Sequence, residues 1–178
     1  MTHSELLQVI QSRAARVAVA ASTVRGGKGK GTVKAAREYF AGLDLAKLGV
    51  EPGGFSRLLD SETRQLLTAL PKQARHWGLA RKLLNIFLRD VLYTGELKKA
   101  YRLDRVQAAL ELPLDSITAK ALRKTQPRGS LPPWPGVRQL TVSVSEAFQQ
   151  AALAEARGLN IARVHLDAIW WARDRHGK

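Results

Sequence analysis

The run Pro71-Lys72-Gln73-Ala74-Arg75-His76-Trp77-Gly78-Leu79-Ala80-Arg81-Lys82-Leu83-Leu84, continued by Asn85-Ile86-Phe87-Leu88-Arg89-Asp90-Val91-Leu92-Tyr93, sets the architecture. Leu79, Leu83, Leu84, Ile86, Phe87 and Val91 recur at helical spacing and predict one long helix with an apolar stripe over about 79–93. Upstream, Asp60 or Ser61 suits the N-cap of a helix whose inner face carries Leu66, Leu67 and Leu70. Two helices joined by a turn over 71–78 that ends in glycine make a helix-hairpin-helix candidate at about 61–93.

The helical period continues on both sides of that pair. Thr2 and Glu5 form a capping box ahead of Leu6, Leu7, Val9, Ile10, Ala14, Val17 and Ala18, a helix of about five turns. It stops before Gly26, Gly27, Gly29 and Gly31, where four glycines in six residues forbid helix. A second helix is expected over 32–41, closed by Gly42, with shorter pieces at 43–48 and 55–59. Downstream, short helices are expected at 97–101 and 105–110, and Pro113 interrupts before Asp115 caps a helix over 116–123. A Pro/Gly-rich connection over 126–136 leads to two last helices, 143–157 ended by Gly158, and 163–173. No repeat is visible, and no strand longer than 139–144. The fold class is all-α, a two-lobed helical bundle.

With 178 residues the chain is long enough for one good-sized domain or two small helical lobes sharing a cleft. Hydrophobic residues make up 45% and charged residues 25%, which is the composition of a packed globule and excludes a disordered basic tail. Lys plus Arg number 29 against 15 Asp plus Glu, so a net charge of +14 decorates a folded surface and selects polyanionic partners. The absence of Cys excludes a disulfide framework, a thiolate zinc site and a cysteine nucleophile. Apolar runs fall well short of the roughly 20 residues a membrane span needs. Met1 to Glu5 does not open like a signal peptide. The expectation is a soluble, cytoplasmic, nucleoid-associated protein with no cofactor and no metal.

Two segments are candidates for chemistry. Gly78 at a helix entry offers backbone amides and the positive end of the dipole to a phosphate, and Lys82 follows in the first turn. In Leu112-Pro113-Leu114-Asp115-Ser116, proline breaks the chain and an aspartate arrives at a helix start, where the dipole favours a carboxylate.

Gly78-Leu79-Ala80-Arg81-Lys82-Leu83-Leu84 is similar to the second half of the hairpin in helix-hairpin-helix DNA glycosylases, typically Gly-Val-Gly-x-Lys-Thr-Ala, with the catalytic lysine at the same offset. Leu112-Pro113-Leu114-Asp115-Ser116-Ile117 is similar to the family's Pro-Val-Asp-Thr-His-Val segment, which holds its essential aspartate. The two motifs stand in the family's order, and the 33 residues from Lys82 to Asp115 resemble the archaeal 8-oxoguanine glycosylase branch, which inserts a helix between them. Departures are Ala80 for the second glycine, Leu83 for threonine and Ile117 where histidine or valine stands. The resemblance implies a monomeric enzyme acting on double-stranded DNA, with one lobe over 23–112 and the other from 1–22 plus 113–178. Their cleft would present Lys82 and Asp115 face to face. It implies a DNA N-glycosylase that flips out and excises a base, either an oxidised purine or a modified base of foreign (phage) DNA. Asp115 would be the essential acid, and Lys82 the amine nucleophile where the enzyme is also an AP lyase. Its DNA contacts would fall at Lys28, Lys30, Arg75, Gly78, Ala80 and Arg81, and the base-pocket candidates are Trp77, Trp134, Trp170 and Trp171.

Plain readings stand beside these. Lys82 sits at the edge of the apolar stripe and would serve as a solvated lysine; Asp115 would serve as an N-cap worth about 1 kcal/mol. Asp90 falls on the apolar side and must be paired, to Lys82 or to an arginine. The 26–31 loop lacks the Gly-Lys-Ser/Thr ending of a nucleotide loop, which favours DNA-backbone contact over ATP. His165, Asp167 and His176 are too few and too scattered for a metal site. Trp170 and Trp171 point apart on a helix, so one packs the core. For the whole chain the alternatives are a non-catalytic basic helical DNA-binding module and, resting on charge alone, an RNA-binding accessory protein.

Overall fold

The computed structural model describes residues 1–24, 30–49 and 52–176, and among them every regular element is helical. Eight α-helices follow in order: α1 His3–Ala18, α2 Thr32–Ala41, α3 Pro52–Ala69, α4 Trp77–Tyr93, α5 Gly95–Ala100, α6 Ser116–Thr125, α7 Val142–Gly158 and α8 Leu166–His176. Short 3-10 turns join several of them, at Leu45–Lys47, Lys72–Ala74, Leu103–Val106, Val137–Gln139 and Arg163–His165. No described helix is long and apolar enough to cross a membrane.

Local chemistry places most boundaries. The capping box at the start of α1 is formed, with the Glu5 amide donating to Thr2 and the Thr2 amide donating to the Glu5 carboxylate. Gly42 closes α2, and Asp115 caps α6. The start of α3 is different from the expectation. Asp60 and Ser61 do not begin a helix; they lie inside one that starts at Pro52 and absorbs the piece expected at 55–59. The Asp60 carboxylate is instead directed at Arg81.

Two apolar cores fill the molecule. The larger gathers residues of α1 to α5, among them Leu7, Phe40, Phe55, Leu66, Leu83 and Phe87, with Phe40 and Phe87 stacked at 4.5 Å. The smaller holds Leu112, Leu122, Phe148, Leu166 and Trp170 from the segment before α6 and from α6 to α8. The N-terminal helix takes its core from the first cluster, packing on α2 and α4, rather than joining 113–178 as the resemblance implied. The reason is its buried face, Leu7, Ala14, Ala15 and Ala18, whose small residues admit close approach to those helices.

Helix α4 runs between the two cores, and 12 of its 17 residues are buried. Gly78 is its second residue, not the end of the preceding turn. A Cβ built there would lie 2.2 Å from the Val137 carbonyl oxygen and 2.6 Å from the Leu140 Cβ, so the glycine admits the 137–140 segment against α4. Gly78→Ala is expected to destabilise the fold by about 1–3 kcal/mol through overpacking, read as a lower urea midpoint at unchanged slope. An unchanged midpoint would show that 137–140 withdraws without cost.

Candidate active site

Asp115 reaches its place through its neighbours. The buried segment Leu112-Pro113-Leu114 is held from behind by Gln149 of α7, whose side-chain amide donates to the Leu112 carbonyl at 2.8 Å and accepts from the Leu112 amide at 3.0 Å. Arg163 adds bonds to the carbonyls of Leu110 at 3.0 Å and Ala109 at 3.2 Å. The Asp115 side chain then divides its two oxygens. Oδ1 accepts the Ile117 and Thr118 amides at 2.9 and 3.1 Å and caps α6, while Oδ2 faces the Lys82 Nζ at 3.7 Å. Capping therefore leaves one carboxylate oxygen for other work.

Lys82 comes from the first turns of α4, and its side chain is only 11% exposed against 14% for Asp115. Its ammonium donates to the Thr23 carbonyl at 3.2 Å. Burial lowers its pKa below the ordinary lysine value, and Asp115 and Asp167 only partly oppose this. An amine with depressed basicity offers its lone pair more readily than a surface lysine does.

Around the pair lie two clefts that share Lys82, Asp115, Ser22 and Trp171. One, of about 850 Å³, is walled by Trp134 to Gln139, His76, Ser116 and Ile117. The other, of about 690 Å³, extends past Ile86, Arg89, Asp90 and Asp167 towards Tyr93. Both fall within the roughly 300–1,000 Å³ of small-molecule sites.

Behind Lys82 sits a second set of charges. Arg89 bonds to Asp90 Oδ1 at 2.7 and 2.9 Å and reaches the Asp167 carboxylate of α8. Asp90 thus bridges to an arginine, as its apolar position requires, and burial pushes its pKa up. Asp167 is 2% exposed. Burial drives its pKa up to about 6, with Asp115 adding to the rise and Arg89 opposing it.

Of the four tryptophans, Trp134 and Trp171 line the larger cleft with the Lys82–Asp115 pair. Trp134 is set edge-on against Phe148 at 5.4 Å. Trp170 belongs to the second core, so the adjacent pair divides between core and cleft. Trp77 lines a separate polar recess with Asp60, Glu111 and Glu146, beneath the Arg81 guanidinium at 5.6 Å.

The residues expected to touch DNA are dispersed. Gly78, Ala80 and Arg81 are buried in α4. Arg81 grips Glu111 through two bonds of 2.8 Å and Asp60 through one of 2.8 Å, which leaves no guanidinium face for a phosphate. Burial alone would raise the Glu111 pKa, but the Arg81 fork and the Asn85 amide outweigh it and hold the carboxyl below its ordinary value. Arg75 is exposed and donates to the Leu70 and Thr68 carbonyls at 2.9 Å each, satisfying the end of α3. Lys30 is exposed and outside the cleft lining, and Lys28 lies outside the described residues.

Sequence reasoning missed Ser22, Thr23, Arg89 and Arg138 as parts of the site, and set Asp167 aside as a stray ligand. A signal for Asp167 existed: an acid inside the apolar run Leu166 to Trp170 must be buried with a partner. His165 bonds to Tyr93 at 3.0 Å and Gln107 at 3.1 Å. Among the described residues no three or more His, Cys, Asp or Glu converge as metal ligands. Comparison with protein-family models, with curated proteins and with solved structures returns no match, so what this site can do is argued from its own residues.

Proposed function

We propose that the protein is a DNA N-glycosylase with AP-lyase activity. One observation carries the reading: the Lys82 amine and the Asp115 carboxylate face each other at 3.7 Å, mostly buried, in a cleft walled by Trp134 and Trp171. A desolvated amine, a carboxylate and two aromatic faces are the parts that excision of an extruded nucleotide requires.

In this reading the base leaves the stack and enters beside Trp134 and Trp171. The Lys82 lone pair attacks the sugar C1′, a C1′–Nζ bond forms and the glycosidic bond breaks. The base departs with the electron pair and takes up a proton, and Asp115 Oδ2 accepts the proton the amine loses. Ring opening then gives a Schiff base, from which β-elimination cuts the strand. The excised base is an oxidised purine or a modified base of foreign DNA. The net charge of +14 supplies the general attraction to DNA.

Base release and strand cleavage on a duplex panel carrying 8-oxoguanine, uracil, alkylated bases or hypermodified phage DNA tests the reading. Borohydride is expected to trap a covalent adduct on the wild type and none on Lys82→Ala. Base release that survives in Lys82→Ala without trapping would make water the nucleophile, activated by Asp115. Tight DNA binding with no abasic product from any substrate would leave a non-catalytic basic helical DNA-binding module.

A further inference from the structure

The charge of this chain is unevenly placed. From Ser116 to Ser145 there is no Asp or Glu, and the segment carries Lys120, Arg123, Lys124, Arg128 and Arg138. The same segment supplies one wall of the larger cleft, through Ser116, Ile117 and residues 134–139. Within α6, Ser116, Lys120, Arg123 and Lys124 recur at i, i+4, i+7 and i+8 and are all exposed, while Thr118, Ala119 and Leu122 face the core. The exposed face begins with Ser116 at the cleft wall, one residue from Asp115, and carries its three cations from Lys120 onward, five residues from Asp115. None of the three has a carboxylate partner among the described residues.

Of the two other long acid-free runs, Thr63 to Arg89 turns Arg81, Lys82 and Arg89 onto carboxylates and ties Arg75 to the Leu70 and Thr68 carbonyls; the second, Leu6 to Arg37, touches the cleft through Ser22. There Lys34 is paired with Glu38 at 3.8 Å, and Arg37 is tied to the Val19 and Arg16 carbonyls at 2.9 and 3.2 Å. Arg16, Lys34 and Arg37 line a groove between α1 and α2 that shares no residue with the cleft holding Lys82.

We propose that the Lys120–Arg123–Lys124 face of α6 is the track on which the phosphate backbone of duplex DNA lies as it crosses the cleft. At about 1.5 Å per residue, Ser116 to Lys124 covers on the order of 12 Å, about three phosphate spacings along one strand, with the three cations over roughly the last 6 Å of helix. The strand that passes Ser116 brings its sugar to Asp115 and Lys82. The identity of the partner as DNA rests on the glycosylase reading; the position of the track rests on charge and geometry alone.

The test uses an unmodified DNA duplex, so no catalysis is involved. Affinity is measured against salt concentration for the full chain, for K120Q/R123Q/K124Q and, as a comparison surface, for R13Q/R16Q/K34Q, three exposed cations of α1 and α2. Glutamine keeps helix propensity, and thermal melting confirms that both triples fold. The α6 triple is expected to reduce the slope of log affinity against log salt by about 2–3, close to 0.9 per lost phosphate contact. A slope change in the comparison triple equal to or larger than that of the α6 triple overturns the track, as does an α6 triple with unchanged slope. Stronger binding to a duplex RNA of the same sequence overturns DNA as the occupant. The two readings also separate: loss of slope without base release from any duplex keeps the track and ends the glycosylase, and base release with an unchanged α6 slope does the reverse.

Discussion

Asp115→Asn is expected to fold as the wild type does and to lose base release by about 10²–10⁴-fold or more, the range of general acid–base contributions. The two halves of this outcome come from the two oxygens of one side chain. Asparagine caps helices about as well as aspartate, and its amide oxygen can take over the Ile117 and Thr118 amides that Oδ1 now accepts at 2.9 and 3.1 Å. The Oδ2 position facing Lys82 becomes a neutral amide nitrogen, which neither accepts the amine proton nor stabilises positive charge on the sugar. The measurement pairs urea unfolding with single-turnover base release on whichever duplex of the panel reacts. Full activity in the folded variant would reduce Asp115 to a cap and remove the proposed mechanism. A parallel loss of stability and activity would mean that the cap is not transferable, and Asp115→Ser, a cap without a carboxylate, would then decide.

Arg81→Ala is expected to lose about 3–5 kcal/mol of stability, as do other buried ion pairs deprived of one partner. Its guanidinium joins α3, α4 and the segment before Asp115 through Asp60, Thr63 and Glu111. Removing it leaves the Glu111 carboxylate, 14% exposed, with only the Asn85 amide among its present hydrogen-bond partners. Typical domains are stable by about 5–15 kcal/mol, so the variant approaches the folding limit at 37 °C. Arg81→Met keeps much of the packing and is expected to recover part of the loss. Urea midpoints of the two variants give the comparison. In Arg81→Met the salt dependence of DNA binding is expected to match the wild type, because the guanidinium is internal. A slope reduced by about 1 would instead assign Arg81 a phosphate.

What could be read from the sequence was what neighbours in the chain decide. The Thr2–Glu5 capping box, the Gly42 stop, the Asp115 cap and the division of Trp170 from Trp171 depend on residues a turn or two apart. What escaped depends on distant partners. Asp60 has the residue type of a cap, yet it lies inside a helix that runs from Pro52, and its carboxylate meets Arg81, 21 positions away. Gly78 has the look of an anion site at a helix entry, but its missing Cβ is filled by the Val137 carbonyl. The meeting of Lys82 with Asp115 was expected from the family's pattern and not from spacing. Thr23, in the turn after α1, and Asp167 of α8 enter the site through bonds to Lys82 and Arg89 of α4, 59 and 78 positions away in the chain.

Gln149 clasps both backbone groups of Leu112, and with Arg163 it fastens the strand of chain that carries Asp115 onto α7 and its neighbours. The carboxylate consequently stands opposite the amine on a segment fixed by hydrogen bonds to a buried helix. On the proposed reading, the tempo of the enzyme then belongs to the nucleic acid. Each encounter waits for a nucleotide to leave its helix, and pairs that open often, because they are mismatched or poorly stacked, are caught soonest. The breathing of the duplex becomes the first filter of selectivity, ahead of any contact with the base itself.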